Sequence, residues 1–141
     1  MQIVDVNVLV YSYNEDAPLH APARRWIEEA LSGRQTVGFA WVVLLAFLRL
    51  TTRASLSPRP LSVQRAVEVT ESWLAQPGAV IVEPTVRHLS LVHGLLSSSG
   101  TGGNLVNDAH LAALALEHRA TVVSFDRDFG RFAGVRTHVP G

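Results

Sequence analysis

A chain of 141 residues with 48% hydrophobic and 17% charged residues can build one hydrophobic core and is too apolar to be disordered. Cys is absent, which removes disulfides, thiolate catalysis and thiolate metal sites together. Twelve acidic residues balance twelve basic ones, all of them Arg, so any affinity for nucleic acid must come from a local Arg cluster rather than the whole molecule's field. No apolar stretch is long enough to span a bilayer; the best, residues 39–50, is interrupted by Arg49. The chain opens on a strand-like run rather than a basic segment and a signal core. The expectation is one cytoplasmic domain over residues 1–141.

Residues 2–6 read as a buried strand, with Asn7 to Tyr11 continuing into a turn or short helix. A helix is expected over Pro18 to Leu31, with Pro22 in its first turn, Trp26, Ile27, Ala30 and Leu31 on one face, and Gly33 ending it. Thr36 to Ala40 is a short strand, and Trp41 to Arg53 a helix whose β-branched content blurs its period. After the Ser55–Pro60 loop, Leu61-Ser62 caps a helix to about Ala75, with Val63, Ala66, Val67, Thr70 and Leu74 on one side. Ala79 to Glu83 is a strand, and about Val86 to Leu96 a helix. Residues 97–103, rich in Ser and Gly, read as a flexible linker, and Asn104 as the N-cap of a helix reaching about His118. A strand at 121–125, a turn over 126–132 and a last strand at 135–139 close the chain. This alternation predicts an α/β sandwich around a mostly parallel sheet.

Four aspartates punctuate that pattern. Asp5 closes the first apolar run, Asp108 lies in the first turn after Asn104, and Asp126 and Asp128 follow the strand at 121–125. Taken singly, each suits a turn, a cap or a helix dipole. Together they lie at strand or helix mouths on one side of a parallel sheet, where such folds bind ligands. Carboxylates gathered there without cations call for a divalent metal, and hard oxygen donors suit Mg²⁺ or Mn²⁺. That combination points to metal-assisted chemistry on a phosphate.

Three segments carry a resemblance: Val4-Asp5-Val6-Asn7; Asn107-Asp108-Ala109-His110-Leu111-Ala112-Ala113-Leu114-Ala115; and Val123-Ser124-Phe125-Asp126-Arg127-Asp128-Phe129. In this order and at this length the chain resembles the PIN-domain ribonucleases, and among them the VapC toxins of bacterial toxin–antitoxin pairs. The resemblance implies a PIN-like three-layer α/β/α sandwich and an Mg²⁺- or Mn²⁺-dependent endoribonuclease acting on a structured RNA such as a tRNA or rRNA loop. It implies a homodimer and a VapB-type antitoxin that covers the groove. Asp5, Asp108 and Asp126 would be catalytic and hold the metal, with Asp128 as a further ligand or close support. Asn7 and Ser124 would orient carboxylates or metal-bound water.

One position departs from the family. The helix reading Leu44 to Arg49 usually supplies another acid, commonly Glu; here the matching residue is Ala46. Its lack of a ligand atom puts a second metal in doubt and leaves open a catalytically silent domain that binds RNA or antitoxin without turnover. Ala46, Arg49 and Arg53 share a helix face at i, i+3 and i+7, so Arg49 and Arg53 either contact substrate phosphates or simply solvate the helix and pair with Glu. Trp26, Trp41 and Trp73 could stack on bases, although core packing suits most of them, as it does Phe129 and Phe132. No His spacing suggests zinc; His110 falls on a different helix face from Asp108, and the other five read as surface or interface residues. A phosphorylatable receiver, the third reading, expects an acidic pair after the first strand and a Lys in the pocket. This chain has one Asp there and no Lys.

Overall fold

The computed structural model describes residues 1–100 and 105–141. Its elements, in chain order, are β1 (Gln2–Val4), α1 (Val6–Tyr13), α2 (His20–Ala30), β2 (Val37–Ala40), α3 (Trp41–Thr52) and α4 (Val63–Leu74). There follow β3 (Ala79–Val82), α5 (His88–Ser99), α6 (Leu105–His118), β4 (Thr121–Val123), a 3₁₀ turn (Arg127–Arg131) and β5 (Arg136–His138). The five strands form one sheet in the order β3-β2-β1-β4-β5, and all four pairings are parallel. The result is a three-layer α/β/α sandwich. Helices α1 to α4 pack on one another, and α5 packs on α6. Among the described residues no helix is long and apolar enough to cross a membrane.

Burial explains the strands. Ile3, Val4, Val37, Phe39, Val122 and Val123 are fully buried, as expected of central parallel strands covered on both faces. Gly38 lets β1, β2 and β3 approach: a Cβ there would stand 2.9 Å from Val82 Cγ1 and 3.1 Å from Ile3 Cγ1. Phe129 and Phe132 are buried, with ring centroids 6.2 Å apart, and anchor the 3₁₀ turn.

Several boundaries differ from the sequence reading, for local reasons. The first strand ends at Val4, not Val6, because Asp5 turns the chain: its side chain accepts the Val6 N–H at 2.7 Å and starts α1. Ser62 caps α4 as expected, accepting from Arg65 N, but the buried side is Ala66, Val69 and Thr70, while Val63 is exposed. Residues 97–99, read as linker, are the last turn of α5, which Gly100 ends in the left-handed conformation at φ 86°. The expected linker at 101–103 and the Asn104 cap lie outside the described residues.

Candidate active site

The strand order places the site. From β1 the chain builds outward through β2 and β3, then returns to add β4 and β5 on the other side of β1. The switch point therefore lies between β1 and β4, and the carboxyl ends of strands at such a point are where parallel sheets bind ligands. Register does the rest. Val4 pairs with Val123, and Asp5 N–H donates to the Val123 carbonyl at 2.9 Å, so Asp5 and Ser124 emerge side by side.

Ser124, only 3% exposed, is the hub. Its Oγ donates to Asp5 Oδ2 at 2.7 Å, and accepts from Asn7 Nδ2 at 3.0 Å and from the Asp126 N–H at 2.9 Å. One donor and two lone pairs are thus all used. Asn7 Nδ2 also donates to Asp5 Oδ2 at 3.2 Å, and its Oδ1 accepts the Phe125 N–H at 3.2 Å. Asp126 turns the chain after β4 by accepting the Asp128 N–H at 2.8 Å. Asp5, Asn7, Ser124 and Asp126 form one hydrogen-bonded unit.

Asp108 joins by charge. It is half-buried in the first turn of α6, and among the described residues no hydrogen bond holds its carboxylate. Burial, then repulsion from Asp126, Asp5 and Asp128, raises its pKa to about 6, with Arg131 opposing. Burial and Asp126 also push the Asp5 carboxyl up, against the bonds from Ser124 and Val6. Asp128 is exposed and turned toward Arg131, 3.3 Å away. Among the described residues no three Asp, Glu or His side chains stand close enough together to hold an ion as they are. The donors are nevertheless all oxygen, converge on one crevice and repel one another, which fits a hard divalent cation in Asp5, Asp108 and Asp126.

Arg49 and Arg53 stand apart. Both are exposed, Arg53 already past the end of α3, and neither is among the charges bearing on Asp5 or Asp108. Among the described residues neither has a carboxylate partner within ion-pair distance. The cation that does reach the acids, Arg131, was not singled out in the sequence, although its spacing of three from Asp128 offered the signal. Ala46 is half-buried on α3. Of the tryptophans, Trp26 is buried, Trp73 packs edge-on to Phe47 and Trp41 is half-exposed. His88 is no surface residue: it links Glu117 to His110. Burial and then His88 hold the His110 imidazole below its usual pKa.

Fold and acidic crevice together define a class, and comparison with known proteins bears it out: the PIN domain profile matches residues 3–135. The chain belongs to the PIN domain family. Its relatives include Mycobacterium tuberculosis ribonuclease VapC37, 57% identical over 140 residues, covering 99% of this chain and 97% of that one. M. tuberculosis ribonuclease VapC33 is 35% identical over 136 residues, covering 96% and 95%. Among solved structures, a chain of Rickettsia felis VapBC2, bound to a promoter DNA fragment, aligns with TM-score 0.73 at 18% identity, covering 99% of this chain and 98% of its own. M. tuberculosis VapC20, a sarcin–ricin loop cleaving toxin, aligns with TM-score 0.70 at 19% identity, covering 96% and 99%.

Proposed function

We propose that this chain is the toxin of a VapBC-type pair, a single PIN domain over residues 1–141 that cleaves structured RNA as an Mg²⁺- or Mn²⁺-dependent endoribonuclease. The observation that carries the reading is the convergence of Asp5, Asp108 and Asp126 at the β1–β4 switch point, with Asp108 raised to about 6 by burial and its acidic neighbours. The relatives named as ribonucleases support the RNA substrate.

Asp5, Asp108 and Asp126 would hold the ion, with Asp128 at the edge. When bound, it supplies Lewis-acid assistance to phosphodiester hydrolysis. The chain's own residues supply position. Ser124 and Asn7 fix the rotamer of Asp5 through its Oδ2, so its oxygens need little reorganisation when substrate arrives. Arg131, beside the acids, is placed to meet a substrate phosphate, while the exposed Arg49 and Arg53 would contact phosphates further along the strand. The half-exposed Trp41 and Leu45 on α3, with Leu56 and Val63 flanking Pro58-Arg59-Pro60, offer an apolar surface for a VapB-type antitoxin or a second copy of the chain.

The test is cleavage of total cellular RNA by the antitoxin-free protein with Mg²⁺, Mn²⁺ or EDTA, beside Asp5→Asn. Discrete fragments that require both metal and Asp5 are expected. Intact RNA from folded protein would transfer the weight to a second reading, a silent domain that binds RNA or antitoxin without turnover. Ala46 motivates that reading, because α3 brings no carboxylate.

A further inference from the structure

Helices α5 and α6 carry a second cluster of ionisable side chains, His88, His110 and Glu117. Glu117, its side chain only 1% exposed, places Oε2 3.1 Å from His88 Nδ1. Its other oxygen accepts from Thr85 N at 3.2 Å and Thr85 Oγ1 at 2.6 Å. A carboxylate this enclosed is stable only when tied so fully. The far nitrogen of His88, Nε2, faces His110 Nδ1 at 2.7 Å, with the two rings 76° apart in plane.

Tautomer logic makes this pair unusual. A carboxylate on Nδ1 keeps the proton there and leaves a lone pair on His88 Nε2. The opposing atom is another ring nitrogen, so one proton lies between the two, carried by His110 Nδ1 when the His88 ring is neutral. A cation replacing that proton would use both lone pairs at once. The proton then passes to His110 Nε2, leaving the ring neutral and the net charge of the protein groups unchanged.

We propose that His88 Nε2 and His110 Nδ1 form a binding site for a transition-metal ion such as Zn²⁺, oriented by Glu117 through His88 Nδ1. Carboxylate, imidazole and metal in line is the arrangement that raises ligand basicity and fixes ring orientation at histidine metal sites. Imidazole nitrogen selects Zn²⁺, Ni²⁺ or Cu²⁺ over Mg²⁺, so the two clusters divide the metals by donor type. At Zn–N bonds of 2.0–2.1 Å, tetrahedral ligands sit roughly 3.3 Å apart. The rings must therefore part by about half an ångström, within the reach of side-chain torsions. Among the described residues no third Asp, Glu or His completes the set. The site is accordingly open, with water or a partner in its remaining positions. Because His110 lies on the helix that presents Asp108, an ion here would pin α5 to the element that builds the crevice. The proposal does not depend on the nuclease reading.

Calorimetric titration of the whole chain with Zn²⁺, in excess Mg²⁺ to occupy the oxygen donors, tests it. One Zn²⁺ per chain is expected, with affinity about 10-fold lower or worse in His110→Gln and in His88→Gln, and about 10-fold lower in Glu117→Gln. His118→Gln, outside the pair, should bind as the parent does. Co²⁺ provides a second readout, through visible absorption bands that His110→Gln abolishes while far-ultraviolet dichroism shows the fold intact. No Zn²⁺ uptake, or uptake unchanged by His110→Gln, would overturn the proposal and leave the cluster a staple between α5 and α6.

Discussion

Removing the charge of Asp108 should stabilise the metal-free protein while destroying its activity. The carboxylate is raised from 3.8 to about 6, first by burial and then by Asp126, Asp5 and Asp128. Taken whole, that shift is worth about 3 kcal/mol at 1.36 kcal/mol per pH unit. The group is half in water, so screening leaves roughly 1–1.5 kcal/mol. A carboxyl raised on folding binds its proton more tightly in the folded state. Its stabilisation is therefore complete below 3.8 and lost as pH rises through about 6. Asp108→Asn, uncharged throughout, escapes that loss. In EDTA at about pH 7.5 the variant should melt roughly 3–5 °C above the parent, and the gap should close as pH falls toward 4. The raised Asp5 is common to both proteins and largely cancels in the difference. Added Mg²⁺ should reverse the order by stabilising only the parent. Differential scanning calorimetry across this pH range reads all three outcomes. A variant no more stable at neutral pH, or a gap that does not move with pH, would refute the electrostatic account of the crevice.

Four further outcomes follow from the same geometry. Asp5→Asn and Asp126→Asn should each lower RNA cleavage by about 100-fold or more while folding normally, measured by fragment release beside circular dichroism. Ser124→Ala should cost about 1–3 kcal/mol in urea unfolding, because it strands the donors of Asn7 and Asp126. Its cleavage rate should fall about 10–100-fold. Ala46→Glu should raise both Mg²⁺ affinity and cleavage rate; if neither changes, the missing acid on α3 is irrelevant. Gly38→Ala should lose about 1–3 kcal/mol, since its Cβ meets Val82 and Ile3 across both neighbouring strands.

The fold was readable in the sequence because alternation of short apolar runs with helical periods survives small boundary errors. The acids stood out in the sequence because each sits at the edge of an element: Asp5 after β1, Asp126 after β4, Asp108 in the first turn of α6. What escaped depends on contacts distant in sequence. His88 looked like a surface residue until packing set it between Glu117 and His110, 29 and 22 positions away. Arg131 reads as an ordinary turn cation until the 3₁₀ turn sets it against the acids. Val63 had the right helical phase for burial, yet α4 turns Val69 inward instead. Periodicity gives a helix its stripe; only the neighbours decide which edge of that stripe is covered.

The Ser124–Asp5 bond joins residues 119 apart. Such a bond cannot form before Ser124 has been synthesised. While the ribosome is translating the first 123 residues, Asp5 has neither Ser124 to hold it nor Asp126 beside it. The crevice assembles only once β4 and the turn after it have emerged and β4 has slid in next to β1, a late and non-local pairing. On the reading proposed above, the acidic site is therefore among the later features of the fold to assemble, because its parts come from both ends of the described chain.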